Sequence, residues 1–244
     1  MSGTLKPAGP EPSGGLTGAA VVSEVCRDLT LPPQEPAEIY RYLGYPSGLA
    51  PQSRIASRIE QILVQGLTCL EPRGTFSLCE VVERTQQSLV LGSVSIAGHV
   101  REFLGFADRV GVFVVTVGEG VTILGEQAVK RGDPLAAWVL DALGSWAAEA
   151  AADALIERMR PHLREQEALT LRYSPGYCGM DIARQRALFQ LVRADSVGVT
   201  LLPSLLMRPL KSISGIVGLA PKEAVANFRS PCDFCSQVGC HMRR

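Results

Sequence analysis

The segment from Asp133 to Pro161 restricts the fold of this chain more than any other stretch. Asp133 is a favourable N-cap residue, and Pro134 has the φ angle that suits the first position of a helix. Apolar residues then recur at helical spacing as far as about Arg160, where Pro161 ends the pattern. The sequence therefore predicts one long helix over this segment.

One stripe of this helix is apolar at both ends and polar in its middle. It consists of Leu135, Trp138, Ala142, Ser145, Glu149, Ala152 and Ile156. A carboxylate in the middle of such a stripe is costly unless it is paired or faces a cavity. Three interpretations of Glu149 remain open: a neighbouring arginine pairs with it, a slightly rotated helix turns Val139 and Trp146 inward instead, or the helix lines a ligand site.

Residues 110–117 form a continuous apolar run, which is typical of a strand that is buried on both faces. Gly118, Gly120 and Gly125 follow this run and raise the alternative of a Rossmann-like methyltransferase. Their spacing differs from G-x-G-x-x-G, and no succession of strand and helix units follows them. A simple turn after the strand is therefore the favoured interpretation.

Local propensities predict further elements before that strand. Residues 67–82 favour β structure, with a turn at Pro72-Arg73-Gly74, and residues 95–106 favour a helix. The first 20 residues are rich in Gly, Pro, Ser and Thr and hold few large apolar groups, so residues 1–24 are predicted to form a disordered tail.

Composition excludes several classes of function. The formal net charge is zero, and the 24 basic residues are scattered, so a nucleic-acid partner is not expected. The longest apolar runs are far shorter than the roughly 18 residues that a membrane span needs, and no secretory signal is visible. Seven cysteines in a chain without a visible signal favour a reducing, cytoplasmic environment.

The stretch from Arg172 to Tyr177, with the sequence Arg-Tyr-Ser-Pro-Gly-Tyr, is a candidate ligand clamp. The guanidinium of Arg172 can bind a carboxylate with two hydrogen bonds, Gly176 admits a ligand to the main chain, and Tyr177 offers a ring face and a hydroxyl. A plain loop between a strand and a helix is the alternative, because Ser-Pro-Gly is a common turn. Tyr173 is expected to serve packing, and Lys211 is expected to be solvated.

A cysteine cluster near the C-terminus is the second candidate site. Cys232, Cys235 and Cys240 have the spacing C-x2-C-x4-C, and His241 follows the last of them. Three thiolates can bind one metal ion, with His241, Cys178, another chain or solvent as the fourth ligand. Redox-active or idle thiols are the alternative to zinc or an iron–sulfur cluster.

Three motifs in this order resemble the activation domain of cobalamin-dependent methionine synthase. They are Asp141-Ala-Leu-Gly-Ser145 with Ala148-Glu-Ala150, the Arg172–Tyr177 stretch, and Leu206-Met-Arg-Pro-Leu-Lys-Ser-Ile-Ser-Gly215. The sequence is similar above all to small free-standing relatives of that domain, which commonly end in a cysteine cluster. The resemblance runs from about residue 35 to the C-terminus.

The resemblance implies an α+β fold, with a mainly antiparallel twisted sheet packed with several helices in a single domain over residues 25–228. Residues 229–244 would then be a Cys-rich C-terminal segment. It also implies that S-adenosylmethionine binds to Arg172, Gly176 and Tyr177, with the main chain of Ser174, and that Glu149 lies near this ligand.

The function that the resemblance implies is reactivation of cobalamin-dependent methionine synthase. Reduction of an inactive Co(II) corrinoid, followed by methyl transfer from S-adenosylmethionine, restores methylcobalamin. No cobalamin-binding module fits within 244 residues, so the expected partner is a separate corrinoid protein or a methionine synthase that lacks its own activation domain. A reductase is a further candidate partner.

Three features depart from the family pattern. Residues 40–45 contain no carboxylate where the family carries an aspartate that contacts the ligand. Cys178 replaces the proline that follows the Gly-Tyr pair, and Ile216-Val217 replaces an aromatic pair. A non-enzymatic metal or iron–sulfur protein that uses Cys232, Cys235 and Cys240 for electron delivery or assembly is the alternative function.

Overall fold

A computed structural model of the chain describes residues 20–46 and 48–227, apart from the side chain of Arg101. The described strands are β1 (Ala20–Cys26), β2 (Arg73–Glu80), β3 (Glu83–Arg84), β4 (Ser88–Leu91), β5 (Val94–Ala97), β6 (Arg109–Thr116), β7 (Glu167–Leu169), β8 (Thr200–Leu201), β9 (Met207–Arg208) and β10 (Ser212–Pro221). The described α-helices are α1 (Pro36–Tyr42), α2 (Ser53–Leu67), α3 (Val100–Leu104), α4 (Gly120–Lys130), α5 (Pro134–Glu157), α6 (Gln185–Leu191) and α7 (Lys222–Ala226). None of these helices combines the length and the apolar character that crossing a bilayer requires.

Five strands form one antiparallel sheet in the order β1-β2-β6-β10-β7. Helices pack against this sheet, so the fold is α+β, as the resemblance implied. A Rossmann-like fold requires a mainly parallel sheet whose strands are joined by helical crossovers. The antiparallel pairing excludes that alternative, and Gly118 and Gly120 lie where β6 turns into α4.

β6 lies at the centre of the sheet, and all eight of its residues are buried. This confirms the strand predicted over residues 110–117. Phe113 and Val115 pack into a core shared with α1, α2, α4 and α5. Val112 and Val114 pack into a second core, which β4, β5, α3 and α6 cover. The sheet is thus the middle of three layers, and its two faces bury different cores.

The predicted long helix is present as α5, and the Asp133 side chain accepts a hydrogen bond of 2.9 Å from the Ala136 N–H. The helix is rotated relative to the predicted stripe, because Val139 and Trp146 are buried whereas Trp138 is 56% exposed. α1, α2, α4 and the sheet all pack against α5. The prediction that Trp138 faces the core was wrong, because it assumed that the helix buries only one face.

The turn predicted at residues 72–74 was wrong. Arg73 and Gly74 lie inside β2, where they pair with Thr116 and Val115 of β6. The central strand supplies hydrogen-bond partners to this stretch, and that tertiary pairing outweighs the local turn preference of Pro-Arg-Gly.

The helix predicted over residues 95–106 begins only at Val100. β5 occupies the first part of this stretch and pairs with β4 in an antiparallel hairpin. Val94 and Ile96 are buried while Ser95 between them is exposed, which is the alternation of a strand with one buried face. The sequence analysis missed this alternation of apolar and polar residues and therefore predicted a helix in place of β5.

β1 begins at Ala20, whereas the sequence predicted a tail through residue 24 and a domain from residue 25. Its residues pair with β2 and form one edge of the main sheet. The sheet therefore includes residues 20–24, because backbone pairing orders a segment that the composition of its neighbours assigned to the tail.

Candidate functional site

The segment from Arg172 to Ser174 is extended and runs beside β10. Tyr173 exchanges two backbone hydrogen bonds with Ile216, at 2.8 and 2.9 Å. Successive side chains of an extended segment point to opposite faces. Arg172 therefore reaches α5, whereas the Tyr173 ring packs in the opposite layer, with its centroid 4.6 Å from that of Phe103.

Arg172 is held by two carboxylates of α5. Its Nη1 donates to Asp153 Oδ1 at 2.6 Å and to the Glu149 main-chain oxygen at 3.3 Å, and its Nη2 donates to Glu149 Oε2. The Arg172 side chain is 16% exposed, whereas the two carboxylate side chains are 30% and 56% exposed. Arg172 is thus the arginine that pairs with Glu149, and the structure brings these two predicted site residues into contact.

The Arg172 guanidinium keeps hydrogen-bonding capacity for a ligand. An arginine has five N–H donors. Within the described residues, Arg172 uses two donors on Nη1 and one on Nη2. The Nε–H and one Nη2–H remain, and donors on these two nitrogens can together bind a carboxylate with two hydrogen bonds.

A tight turn follows Arg172. The Tyr177 N–H donates to the Ser174 oxygen at 3.2 Å, and the Gly176 N–H donates to the Met180 oxygen at 2.7 Å. Gly176 has a φ of 90°, a conformation that favours glycine independently of the ligand access expected from the sequence. The Tyr177 side chain lies at the surface, 66% exposed. Ser174, Gly176 and Tyr177 therefore lie in one turn that begins two residues after Arg172, and Gly176 and Tyr177 are exposed.

Lys211 is not simply solvated. Its Nζ donates to Asp141 Oδ1 at 2.6 Å and to Ser145 Oγ at 2.9 Å, and its side chain is only 12% exposed. The methylene groups of Lys211 lie 2.9 to 3.1 Å from the position that a Cβ on Gly144 would occupy. The sequence motif around Asp141 and the motif around Lys211 thus meet in space.

One polar ridge of α5 receives both cations. Asp141, Ser145, Glu149 and Asp153 are spaced four residues apart, which places them on one face of the helix. Lys211 binds the first two of these residues, and Arg172 binds the last two. Asp153 was missed in the sequence analysis, and its spacing of four from Glu149 was the signal that would have found it.

A groove of about 690 Å³ lies beside this ridge, between α5, α1 and the segment that precedes α1. Its lining includes Glu149 and Asp153, the two partners of Arg172. Trp146 also lines the groove, and its Nε1 donates to Glu38 Oε2 at 3.1 Å. This volume is in the range of sites that bind small molecules.

The groove carries more negative than positive groups. Its lining contains five carboxylates and two guanidinium groups: Asp28, Glu38, Glu149, Asp153 and Glu157 against Arg41 and Arg158. A side-chain hydrogen bond from Arg160 lowers the pKa of Glu157, which keeps that carboxylate ionised. Arg172 and Arg160 pair with three of these carboxylates from outside the lining, which leaves five carboxylates against four guanidinium groups, a small excess of negative charge that favours a ligand with cationic groups. Asp28 and Glu38 are carboxylates of the groove lining that lie outside residues 40–45.

The predicted metal ligands Cys232, Cys235 and Cys240, with His241, lie outside the described residues. Within residues 20–46 and 48–227, no group of three or more His, Cys, Asp or Glu side chains is arranged to hold a metal ion. Cys178, a candidate fourth ligand, lies in the turn after Tyr177 and is partly buried.

Comparisons with known proteins identify a matching family and a solved structure of similar fold. The family model described as vitamin B12 dependent methionine synthase, activation domain, matches residues 78–228. A crystal structure of the MetH reactivation domain bound to AdoHcy has a similar fold, with a TM-score of 0.58 and 18% sequence identity. That likeness covers 84% of this chain and 81% of that chain. No curated protein matches the sequence.

Proposed function

The chain belongs to the family of vitamin B12 dependent methionine synthase activation domains, and from this premise we propose that it binds S-adenosylmethionine and supports the reductive reactivation of a cobalamin. One observation carries the proposal. Arg172 is held by Glu149 and Asp153, which line an acidic groove, and it lies two residues before Ser174, where the turn with Gly176 and Tyr177 begins. The residues present suit the two kinds of charge that this ligand carries.

Arg172 would bind the methionyl carboxylate of the ligand. Its Nε–H and one Nη2–H are the donors available, and the α5 carboxylates fix the guanidinium plane before the ligand arrives. A side chain that is already oriented loses less conformational entropy on binding. Arg172 is therefore the residue on which affinity should depend most.

The acidic groove would bind the cationic part of the ligand. S-adenosylmethionine carries an ammonium group and a sulfonium group, and the carboxylates of the groove outnumber the guanidinium groups that line it or pair with it by five to four. Glu149 is both a partner of Arg172 and part of the groove lining. It would thus face the ligand near the junction of its carboxylate and ammonium groups.

The turn would contribute main-chain and ring contacts. Gly176 lacks a side chain that would keep a ligand away from the backbone. Ser174 is the first residue of the turn, and its main chain would contribute a contact to the ligand. The exposed Tyr177 ring offers a π face toward a sulfonium or an adenine ring.

The methyl acceptor in this proposal is a cobalamin carried by a partner, either a corrinoid protein or a methionine synthase that lacks its own activation domain. The methyl group passes from the sulfonium sulfur to the reduced cobalt, and S-adenosylhomocysteine remains on the protein. A reductase is the proposed electron source. The residues of this chain bind and orient the donor, and orientation alone can accelerate a transfer between two bound groups.

A methyl-transfer assay tests this proposal. S-adenosylmethionine labelled in its methyl group is incubated, without oxygen, with the protein and with free cobalamin that titanium(III) citrate keeps reduced. We expect labelled methylcobalamin to form faster with the protein than without it. We also expect the Arg172→Ala variant to lose this acceleration.

Arg84→Ala is the matched control for that assay. Like Arg172, Arg84 binds a main-chain oxygen, that of Ala107, and it binds one carboxylate instead of two, that of Asp108, both at 2.7 Å, but it lies on β3 in the other layer. This variant should accelerate the transfer as the wild type does. No acceleration by the wild-type protein, or equal acceleration by Arg172→Ala, would argue against the proposed function.

The cysteine spacing favours a second candidate function. Cys232, Cys235 and Cys240 place three thiols within nine residues, so a metal or iron–sulfur protein that serves electron delivery or assembly is the alternative. Analysis of protein purified without oxygen for iron, zinc and sulfide tests it, beside a variant with all three cysteines changed to serine. A bound metal that the serine variant lacks would support this alternative. Unchanged S-adenosylmethionine binding by the same variant would separate the two functions.

The domain organisation that follows from the family is also a proposal. We assign the activation-like domain to residues up to 228 and a separate Cys-rich segment to residues 229–244. A variant truncated after residue 228 should then bind S-adenosylmethionine with unchanged affinity and lose any bound metal.

A further inference from the structure

The turn that carries Gly176 and Tyr177 has an unusual backbone. Gly176, Cys178 and Gly179 have φ angles of 90°, 42° and 82°. Cys178 is one of only two described non-glycine residues with a positive φ. A non-glycine residue in this region is strained, so contacts from outside the turn are needed to keep its shape.

Tyr173 provides one such contact from beneath the turn. Its hydroxyl donates a hydrogen bond of 2.9 Å to the main-chain oxygen of Cys178. The ring is 2% exposed and packs edge-to-face on Phe103, and the Tyr173 backbone is fixed by its two hydrogen bonds with Ile216. The donor is therefore attached to a rigid part of the fold and reaches the residue of the turn that is most strained.

The Tyr173 hydroxyl stays protonated at physiological pH. Burial is the main reason that the pKa of Tyr173 is raised, and repulsion from Cys178, once that thiol is ionised at high pH, and from the Glu102 carboxylate adds to the effect. A backbone hydrogen bond with His99 opposes these effects and is outweighed by them. The hydroxyl thus remains a hydrogen-bond donor over the whole range in which the protein is expected to work.

His99 limits the turn from the other side. A Cβ on Gly179 would lie 2.2 Å from His99 Cδ2, so the imidazole is packed directly against the turn. The ring is oriented by a 2.7 Å contact between its Nδ1 and Glu102 Oε2. The turn is therefore held between the His99 imidazole and the Tyr173 hydroxyl.

We propose that Tyr173 is a positioning residue, whose hydrogen bond to the Cys178 oxygen holds the 174–180 turn in the shape that binds S-adenosylmethionine. The proposal rests on the proposed function. It gives Tyr173 a role in shaping the turn, in addition to the packing role expected from the sequence. Loss of the hydroxyl should leave the fold intact, because the ring and its contact with Phe103 remain.

The Tyr173→Phe variant tests this with two independent measurements. Amide hydrogen exchange, resolved by residue, should become faster at Gly176 and Met180 by roughly 2- to 13-fold, the factor expected from one hydrogen bond. The amides of Tyr173 and Ile216 should keep their wild-type rates. Calorimetric titration should show a dissociation constant for S-adenosylmethionine weakened by a factor in the same range.

Thr75→Val is the matched control. Thr75 is also buried, at 1% exposed, and its hydroxyl also donates a hydrogen bond of 2.9 Å to a main-chain oxygen, that of Glu24, but it lies in β2 and binds the edge strand β1. This variant should change neither the exchange of the turn nor the binding of the ligand. A change as large as that of Tyr173→Phe would overturn the proposal, because it would reflect a general effect of losing a buried hydroxyl.

The two measurements separate this inference from the proposed function. Failure of the wild-type protein to bind S-adenosylmethionine overturns both the proposed function and the ligand role of the turn. The exchange rates would still show whether Tyr173 holds the turn in place. Unchanged exchange at Gly176 and Met180 in Tyr173→Phe overturns the inference alone. Faster exchange with an unchanged dissociation constant also overturns it, because the turn would then be held for no purpose in binding.

Discussion

Two arginines of this protein each bind carboxylates, but their surroundings differ. Arg109 Nε donates to Glu167 Oε1 at 3.2 Å, its Nη2 binds Glu167 Oε2, and Nη2 also donates to the His162 main-chain oxygen at 3.0 Å. Both side chains of that pair are less than 10% exposed, at 8% and 9%. The partners of Arg172 are 30% and 56% exposed and line a groove.

The difference separates a structural ion pair from a candidate binding site. Glu167 also accepts a 2.8 Å hydrogen bond from the Arg164 N–H, so both oxygens of this carboxylate are bound within a pair that is almost fully buried. Arg172 retains donors, and water can reach its partners. Arginine–carboxylate contact is therefore weak evidence of function by itself, and accessibility of the partners decides what such a contact is for.

Breaking the buried pair should have the largest effect on stability. Arg109→Ala removes the nearest charged partner of the buried Glu167 carboxylate and leaves only Arg164 Nη1 at 3.8 Å, so we expect the free energy of unfolding to fall by about 3–5 kcal/mol. Denaturant unfolding measures this loss. The double variant Arg109→Met with Glu167→Leu should recover much of it, since no buried charge then remains. If Arg109→Ala lowered stability no more than Arg172→Ala does, the contrast between the two sites would not hold.

The free energy of unfolding contributed by the buried pair should fall as the pH is lowered. Burial raises the pKa of Glu167, but hydrogen bonds from Arg109 and from the Arg164 N–H outweigh that effect and hold the pKa below its ordinary value of 4.5. The folded pKa is the lower one, so the stability contribution is present above pH 4.5 and is lost as the pH falls through the folded pKa. Unfolding measured from pH 6 to about pH 3 should show this loss in the wild type. The Glu167→Gln variant should show a shallower dependence, and equal slopes would contradict the assignment.

Lys211 should lie between the two arginines in its effect. Its side chain is 12% exposed, but its partner Asp141 is 64% exposed. Lys211→Met keeps the apolar stem on Gly144 and removes the charge, so we expect a loss of about 1 kcal/mol in the free energy of unfolding. Lys130→Met, at the exposed end of α4, is the control and should change stability by less than this amount. A loss as large as that of Arg109→Ala would place Lys211 among the buried pairs.

Arg172→Ala should have the smallest effect on folding. Its partners can turn to water when the arginine is removed, so the loss should stay below about 1 kcal/mol. Thermal unfolding of this variant beside Arg84→Ala tests the expectation. A loss of several kcal/mol would show that Arg172 is structural and would remove the contrast with Arg109.

The sequence predicted those features of the candidate site that depend on residues close together in the chain. The unusual place of Glu149 on an apolar stripe predicted a charged partner or a cavity, and the structure shows the partner. Gly176 was expected to admit a ligand to the main chain, and its φ of 90° is a second reason for glycine that the sequence did not predict. Strand 110–117 and the helix after Asp133 were found because long apolar patterns and helix caps depend on few distant contacts.

The missed parts depend on pairing between distant segments. Arg172 and Asp153 are 19 residues apart in the chain, and Lys211 and Asp141 are 70 apart. A local sequence pattern does not predict which carboxylate of a helix will contact a basic residue from a distant part of the chain. The wrong turn at residues 72–74 has the same origin, because the central strand decides the conformation there.

Calorimetric titration with S-adenosylmethionine, on protein prepared without oxygen, tests the central claim most directly. The account predicts that the wild type and Arg84→Ala bind with equal affinity, and that Arg172→Ala binds roughly 10- to 150-fold more weakly, the factor expected for hydrogen bonds to a charged group. Binding by Arg172→Ala that equals the wild type, or no binding by the wild type, would contradict the account.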